Sequence, residues 1–219
     1  MNEENQNFKS NVIVFLGPPA SGKGTAANYL EKKHNIKSIS PGFIFKKIRN
    51  DNSELAELVK ESVKDGGLCP SWLTNKLVQQ ETNNLLMQGY HTISLDGFPR
   101  TLEQLEFLNN NYNVLLFVHS NTNWNIMKKL VTQRRNCKVC NSVFSTNNSY
   151  FENECCKLED NWEKRWDDTP EMFAKRYKVY KQETFPIIEK IKKLENYIKV
   201  DLIKNIYAYR EIEKALSLR

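Results

Sequence analysis

The stretch Gly17-Pro18-Pro19-Ala20-Ser21-Gly22-Lys23-Gly24-Thr25 follows the apolar run Val12-Ile13-Val14-Phe15-Leu16. An unbroken apolar run of this length, rich in β-branched residues, reads as a strand buried on both faces. Glycines at 17 and 22 then let backbone N–H groups turn inward around phosphate oxygens. Lys23 opens a helix whose N-terminus adds partial positive charge, and its ammonium reaches the outer phosphates of a nucleotide. Thr25 falls near where a phosphate or magnesium oxygen would lie. Gly24 stands where the commonest phosphate-loop pattern has Ser or Thr. Strand, glycine-rich turn and helix, in that order, predict a nucleotide-binding α/β fold.

Outward from this unit, apolar segments at about 37–39, 92–95, 114–118 and 197–200 read as further buried parallel strands. Helical stretches between them place helices on both faces of the sheet. The first helix should run from Lys23 to about 34–35, and a helical arm should cover roughly 42–64 until Asp65-Gly66-Gly67 stops it. Pro70 opens a helix to about Met87. Thr169 as N-cap and Pro170 in the first turn start another, expected to reach about 194 with a kink at Pro186. Residues 136–164 differ: rich in Asn, Ser and Cys, with few periodic apolar positions, they read as a small insertion with little core of its own. The first seven residues are expected to be disordered.

The chain has 219 residues, enough for one domain with an appended lid or arm, and its 40% hydrophobic and 26% charged content is ordinary for a soluble globular protein. No apolar run approaches membrane-spanning length, and the opening MNEENQNFKS is unlike a signal or transit peptide, so the cytoplasm is expected. The formal charge of +6 comes from 32 Lys and Arg against 26 Asp and Glu. These cations are spread through helices such as EKIKKLENYIK, which suits a basic cleft for small nucleotides better than a nucleic-acid surface.

A second constellation is Leu95-Asp96-Gly97-Phe98-Pro99-Arg100-Thr101, placed where a strand ends. Ligands of open α/β sheets bind there. Asp96 can hold waters of a magnesium ion, and Arg100 can clamp a phosphate through its planar fork. Cys137, Cys140, Cys155 and Cys156 crowd one short window, a clustering that in an intracellular chain favours metal over disulfides. Cys69, before Pro70, reads as a buried thiol.

With these motifs the chain resembles the adenylate kinase family of nucleoside monophosphate kinases. GPPASGKGT is similar to its phosphate loop, where glycine after the lysine is normal, and DGFPRT to a specific signature of the family. ISPGFIFKKI resembles the start of its first arm helix. QRRNCKVC resembles the opening of its lid, and KRWDDTPEMFAKR the segment that closes it. The resemblance extends over nearly the whole chain. It implies a P-loop NTPase-type three-layer fold around a five-stranded parallel sheet, with a helical monophosphate-binding arm and a small β-rich lid. The expected division is a core of 1–40, 71–132 and 170–219, an arm of 41–70 and a lid of 133–169.

The implied activity is reversible magnesium-dependent transfer of the γ-phosphoryl of ATP or GTP to AMP, by a monomer. The loop from Gly17 to Thr25, with Arg134, would hold the donor, and Thr25 and Asp96 would place magnesium through water. Ser40, Lys46, Gly97, Arg100, Gln104, Arg165 and Arg176 would bind the monophosphate, with Gln104 reading the adenine edge. Lys23, Arg100, Arg134, Arg165 and Arg176 would surround the transferring group, and Asp167 and Asp168 would secure the closed lid. The resemblance also implies structural zinc on Cys137, Cys140 and Cys155. The fourth ligand is open between Cys156, Glu159 and Asp160, because the matching position is Leu158.

Some positions depart from the family pattern. Ala20 replaces a loop glycine, which calls for a negative φ there. Pro41, Phe43 and Lys46 replace a threonine, an aspartate and an arginine in the arm, and Leu130 an arginine that stacks on the donor base. These changes keep two alternatives in view: a GTP-preferring GTP:AMP phosphotransferase, and a catalytically weak nucleotide-binding relative.

Overall fold

The computed structural model describes residues 9–140, 142–147, 153–203 and 207–218. The expectation for residues 1–7 lies outside them. β1 (Ser10–Leu16) is the middle strand of a five-stranded sheet ordered β2-β3-β1-β4-β8, with β2 Lys37–Ile39, β3 Thr92–Asp96, β4 Tyr112–Ser120 and β8 Tyr197–Val200. All its pairings are parallel. Each expected strand forms, and the continuous apolar run of β1 has a simple cause. Val12, Val14 and Leu16 pack with Ile93, Leu95 and Phe117 on one face, while Ile13 and Phe15 pack with Leu116 and Val118 on the other. Alternate residues of a strand point to opposite faces, so a strand covered on both sides has no polar positions left.

The first face is covered by α4 (Ser71–Met87), α5 (Leu102–Asn111) and α8 (Phe185–Ile191), through Val78, Leu105, Leu108, Ile187, Ile188 and Ile191. The second is covered by α1 (Lys23–His34) and α9 (Ala208–Ala215), through Ala26, Ala27, Leu30, Ala208 and Ile212. The result is the three-layer α/β architecture of P-loop NTPases.

The helical arm expected over roughly 42–64 consists of two helices. These are α2 (Pro41–Ile48) and α3 (Glu54–Val63), separated by Arg49-Asn50-Asp51-Asn52-Ser53. Asn and Asp side chains compete with helical backbone bonding, and Ser53 restarts the helix by accepting from Ala56 N at 3.2 Å. The arm has a small core of its own, in which Val59, Cys69 and Leu73 meet Phe45, Ile48, Leu55, Val63 and Leu77. Cys69 is a buried thiol, as expected.

After α6 (Trp124–Gln133) the chain enters a small antiparallel sheet of β5 (Arg134–Cys137), β6 (Val143–Ser145) and β7 (Trp162–Glu163), ordered β6-β5-β7. Among the described residues, the four apolar clusters take no member from this sheet. Phe144 packs against Trp162 there, with ring centroids 5.3 Å apart. The chain returns through α7 (Pro170–Val179), whose N-cap Thr169 Oγ1 accepts from Met172 N at 3.2 Å. Instead of a simple kink at Pro186, residues Tyr180–Thr184 form a π-helical turn in which Phe185 N–H bonds to Tyr180 C=O. Proline has no N–H for the carbonyl four residues back, and the wider turn accommodates that loss. α8 then ends at Ile191, short of the expected 194.

The two ends of the small sheet are anchored by one aromatic group. Trp124 of α6 lies 4.7 Å from Phe173 of α7 and 4.5 Å from Tyr177. Phe173 is fully buried there with Met127 and Val131. Phe173→Ala is expected to destabilise the protein by about 3–5 kcal/mol, read as a lowered thermal midpoint with the parallel sheet retained by circular dichroism.

Candidate active site

The phosphate loop joins β1 to α1 at the C-terminal edge of the sheet, where β1 and β3 end side by side with Phe15 opposite Asp96. Gly17 has φ 143° and lies so close to β4 that a β-carbon would meet the Ser120 carbonyl oxygen at 2.6 Å. Ser120 Oγ donates to Ser21 C=O, which pins the middle of the loop to the same strand. Pro18 is buried, Pro19 is half-buried, and Gly22, at φ 88°, is the N-cap of α1. Thr25 is exposed on the first turn.

Ala20 corrects the expectation of a negative φ. It sits at φ 59°, in the left-handed region, with its side chain against the Met127–Phe173 cluster. A β-carbon in that conformation costs about 1–2 kcal/mol, and packing against the α6–α7 junction offsets part of it. Gly24 has a local reason as well. A β-carbon there would approach Asp96 Oδ2 to 3.1 Å, so the glycine lets the β3 carboxylate come up to the loop.

Lys23 Nζ is buried and turned into the loop, 2.6 Å from Pro18 O and 3.3 Å from Ser21 Oγ. Burial lowers its pKa to about 8; Asp96 opposes this, while Arg100, Arg176 and Arg134 add to it. Those cations thus feel one another across a single cleft. Arg100 folds back so that Nε donates to Gly97 C=O at 2.8 Å, and its own carbonyl accepts from Thr184 Oγ1 at 3.1 Å. Its guanidinium is also held below the ordinary value, by burial first. Gln104 is buried, and its Oε1 accepts from Arg100 N at 2.7 Å.

Arg134, Arg165 and Arg176 are held by two buried carboxylates. Arg134 forms a two-point pair with Asp168. Asp167 takes Arg165 through two bonds of 2.8 Å and Arg176 Nη1 through a third, also 2.8 Å. Burial works to raise Asp167, but these guanidinium groups win and bring it to about 2. Arg176 is lowered to about 10, chiefly by burial, against the pull of Asp167. Lys23, Asp96, Arg100, Arg134, Arg165, Arg176, Asp167 and Asp168 are therefore one connected electrostatic group.

The arm positions are less uniform. Ser40 is the N-cap of α2, as expected with Pro41 following, though its side chain makes no capping hydrogen bond. Lys46 Nζ points across to Glu163 of β7 at 3.0 Å. Phe43 is exposed with Lys47 Nζ 4.8 Å from its ring centre, and Leu130 is half-buried on α6. Sequence reasoning did not single out Ser120, Thr184, Arg49, Glu163 or Trp166; their partners are far away in the chain, so no local pattern marks them.

In the small sheet, the four sulfurs of Cys137, Cys140, Cys155 and Cys156 lie within 4.8 Å of one another. Cys140 and Cys156 are 3.4 Å apart, and Cys137 and Cys155 3.8 Å. Neither Glu159 nor Asp160 belongs to this group, and Leu158 is exposed.

The buried parallel sheet, the glycine-rich loop and the ring of cations define a P-loop phosphotransferase. Comparison with known proteins narrows the class. The adenylate kinase family model matches residues 15–196. The adenylate kinase of Rickettsia akari (strain Hartford) is 34% identical over 216 residues, covering 94% of this chain and 99% of the relative. The adenylate kinase of Onion yellows phytoplasma (strain OY-M) is 33% identical over 202 residues, 89% of this chain and 92% of its own. The adenylate kinase of Mycoplasmoides gallisepticum is 33% identical over 192 residues, 83% and 86% respectively. The chain belongs to the adenylate kinase family, and its activity is that of a nucleoside monophosphate kinase.

Two outcomes follow from the electrostatics. A polyphosphate bound beside Lys23 should raise its pKa from about 8, so binding near pH 8–9 should take up protons. Calorimetry in buffers of different ionisation enthalpy should detect that uptake, and Lys23→Arg, which cannot deprotonate in this range, should abolish it. Asp167 stabilises the fold above pH 3.8, its unfolded value, and that contribution fades as pH falls toward about 2. Asp167→Asn should accordingly cost about 2 kcal/mol at pH 7 and little once pH falls to 2, by denaturant titration.

Proposed function

We propose that this chain catalyses the reversible, magnesium-dependent transfer of the γ-phosphoryl of ATP or GTP to AMP, giving two nucleoside diphosphates. The observation that carries this reading is the placement of Lys23 inside the phosphate loop, of Arg100 on Gly97 at the neighbouring strand end, and of Arg134, Arg165 and Arg176 on the adjacent Asp167–Asp168 pair. Phosphoryl transfer asks the protein for alignment and for positive charge around the moving group, with little covalent chemistry. In this reading the loop amides and Lys23 hold the donor triphosphate, with Arg134 over it. Arg100, with Gln104 behind it, takes the acceptor on the side of Ser40, Lys46 and Gly97. Arg165 and Arg176 exchange part of their hold on Asp167 for the phosphoryl oxygens, since a carboxylate and a phosphate suit the same planar fork. Residues 41–70 then act as acceptor arm and 133–169 as lid, over a core formed by the rest.

Asp96 and Thr25 would hold magnesium through water. The close approach of Asp96 to Gly24 brings an oxygen-only donor set to the loop, which fits that ion. Bound there, magnesium would supply positive charge to offset the charge that develops on the phosphate oxygens. The four cysteines would hold zinc. The sulfur separations above bracket the edge of about 3.8 Å that zinc–sulfur bonds of about 2.3 Å give in a tetrahedron. The ion's contribution would be structural, cross-linking a sheet with little apolar core. The same reading has the protein monomeric and cytoplasmic; among the described residues, no helix is long and apolar enough to cross a membrane.

Purified protein given ATP or GTP with AMP, CMP, UMP or GMP should produce diphosphates with AMP as acceptor. Retained nucleotide binding without turnover on any pair would overturn the proposal in favour of a weak, non-catalytic relative. A clear rate advantage for GTP would identify a GTP:AMP phosphotransferase. Elemental analysis should find one zinc per chain, lost in Cys156→Ser and retained in Glu159→Gln and Asp160→Asn.

A further inference from the structure

Among the described residues, the helical arm meets the small sheet and the segment that follows it at two points. Lys46 Nζ on α2 lies 3.0 Å from Glu163 Oε2 on β7. The guanidinium carbon of Arg49, at the C-cap of α2, lies 4.8 Å from the centre of the Trp166 ring. Positions three apart on a helix share a face, so one face of the end of α2 presents both cations to the lid. A third contact ties the far end of the arm to α7. Asp65 pairs with Lys175 at 2.6 Å, and Gly66 lies so near Arg176 that a β-carbon would meet its Cγ at 2.9 Å.

We propose that Arg49 and Trp166, with Lys46 and Glu163, form a clasp that holds arm to lid in the closed arrangement. It rests on the reading of 41–70 as the acceptor arm and 133–169 as the lid. Trp166 is the residue between Arg165 and Asp167. Seating its ring on Arg49 therefore fixes the short segment that presents Arg165 to the cleft and Asp167 to Arg176. The chemistry suits a reversible contact. Arg49 is planar and weakly hydrated, so it stacks well on indole. Trp166 is 49% exposed, and the Lys46 and Glu163 side chains are 48% and 45% exposed, so water reaches the clasp from outside. Arg49 Nε is buried and has no hydrogen-bond partner among the described residues. Opening returns that N–H to water, and the closed arrangement is correspondingly easy to leave. An enzyme whose cycle includes release of two products needs such a contact.

Arg49 and Trp166 lie outside the residues assigned to either nucleotide, so their contact acts on closure rather than on chemistry. Because only the closed arrangement binds both nucleotides fully, weakening it lowers apparent affinity for both. Two measurements on the full-length protein test this. Carbodiimide joins an ammonium and a carboxylate only in direct contact. It should yield a Lys46–Glu163 cross-linked peptide by mass spectrometry in the wild type with magnesium ADP, absent in Glu163→Gln. Kinetically, Trp166→Ala and Arg49→Ala should each raise KM for ATP and AMP together by about two- to fivefold, the range of an exposed cation–π contact. Neither should lower kcat, and Trp166→Phe should recover most of the loss. A wild type that turns over without forming the cross-link would overturn the clasp, as would a fall in kcat at constant KM in Trp166→Ala. A cross-link in a wild type without turnover would leave the clasp standing and overturn the phosphotransfer reading instead.

Discussion

Like charges brought into one cleft repel, and this protein gathers five of them: Lys23, Arg100, Arg134, Arg165 and Arg176. Asp96, Asp167 and Asp168 make that gathering stable before any phosphate arrives. Asp168 is held by Arg134 and Asp167 by both Arg165 and Arg176, in pairs buried on the carboxylate side. These bonds also join elements that share little apolar contact. Arg134 begins β5, Asp167 and Asp168 precede α7, and Arg176 lies within it. The ion-pair network therefore closes the base of the small sheet as well as setting the charge of the site. An arginine resting on a carboxylate is already in the geometry a phosphate requires, so little reorganisation separates the two arrangements.

The phosphate loop meets a different constraint. It must turn sharply between a strand buried on both faces and a helix packed on one of them, with β4 pressed against it. Gly17 meets the requirement by having no side chain to collide with Ser120, and Gly24 by leaving room for Asp96. Ala20 meets it at some cost, in a left-handed conformation that glycine adopts freely. Its methyl group is also its link to the Trp124–Phe173 junction where α6 and α7 flank the small sheet. Phosphate loop and this junction are thus in contact even though a long stretch of chain separates them.

The arm gains its stability more locally. Its apolar spacing is enough to build a cluster around Val59 and Leu73, and Ser53 divides it into two helices where Asn and Asp break the periodicity. Of its residues that depart from the family pattern, Pro41 is buried at the start of α2, Phe43 is exposed, and Lys46 reaches Glu163 of β7 rather than a neighbour in the arm.

Much of this was legible in the sequence. Period and composition determined the five strands and the three-layer fold, because a doubly covered parallel strand can only be apolar throughout. GPPASGKGT determined the nucleotide loop, DGFPR placed an acid and an arginine at the neighbouring strand end, and the crowded cysteines marked the sheet that they would cross-link. The tertiary structure decided what depends on groups distant in the chain. It made Cys156 the fourth member of the thiol group, set Ala20 at positive φ, and divided the arginines between Asp167 and Asp168. It also placed Lys46 and Arg49 against Glu163 and Trp166. Spacing along a chain specifies which neighbours share a helix face or a strand face. It carries no information about which side chain of another element will lie within three or four ångströms, because packing of the whole fold sets that distance.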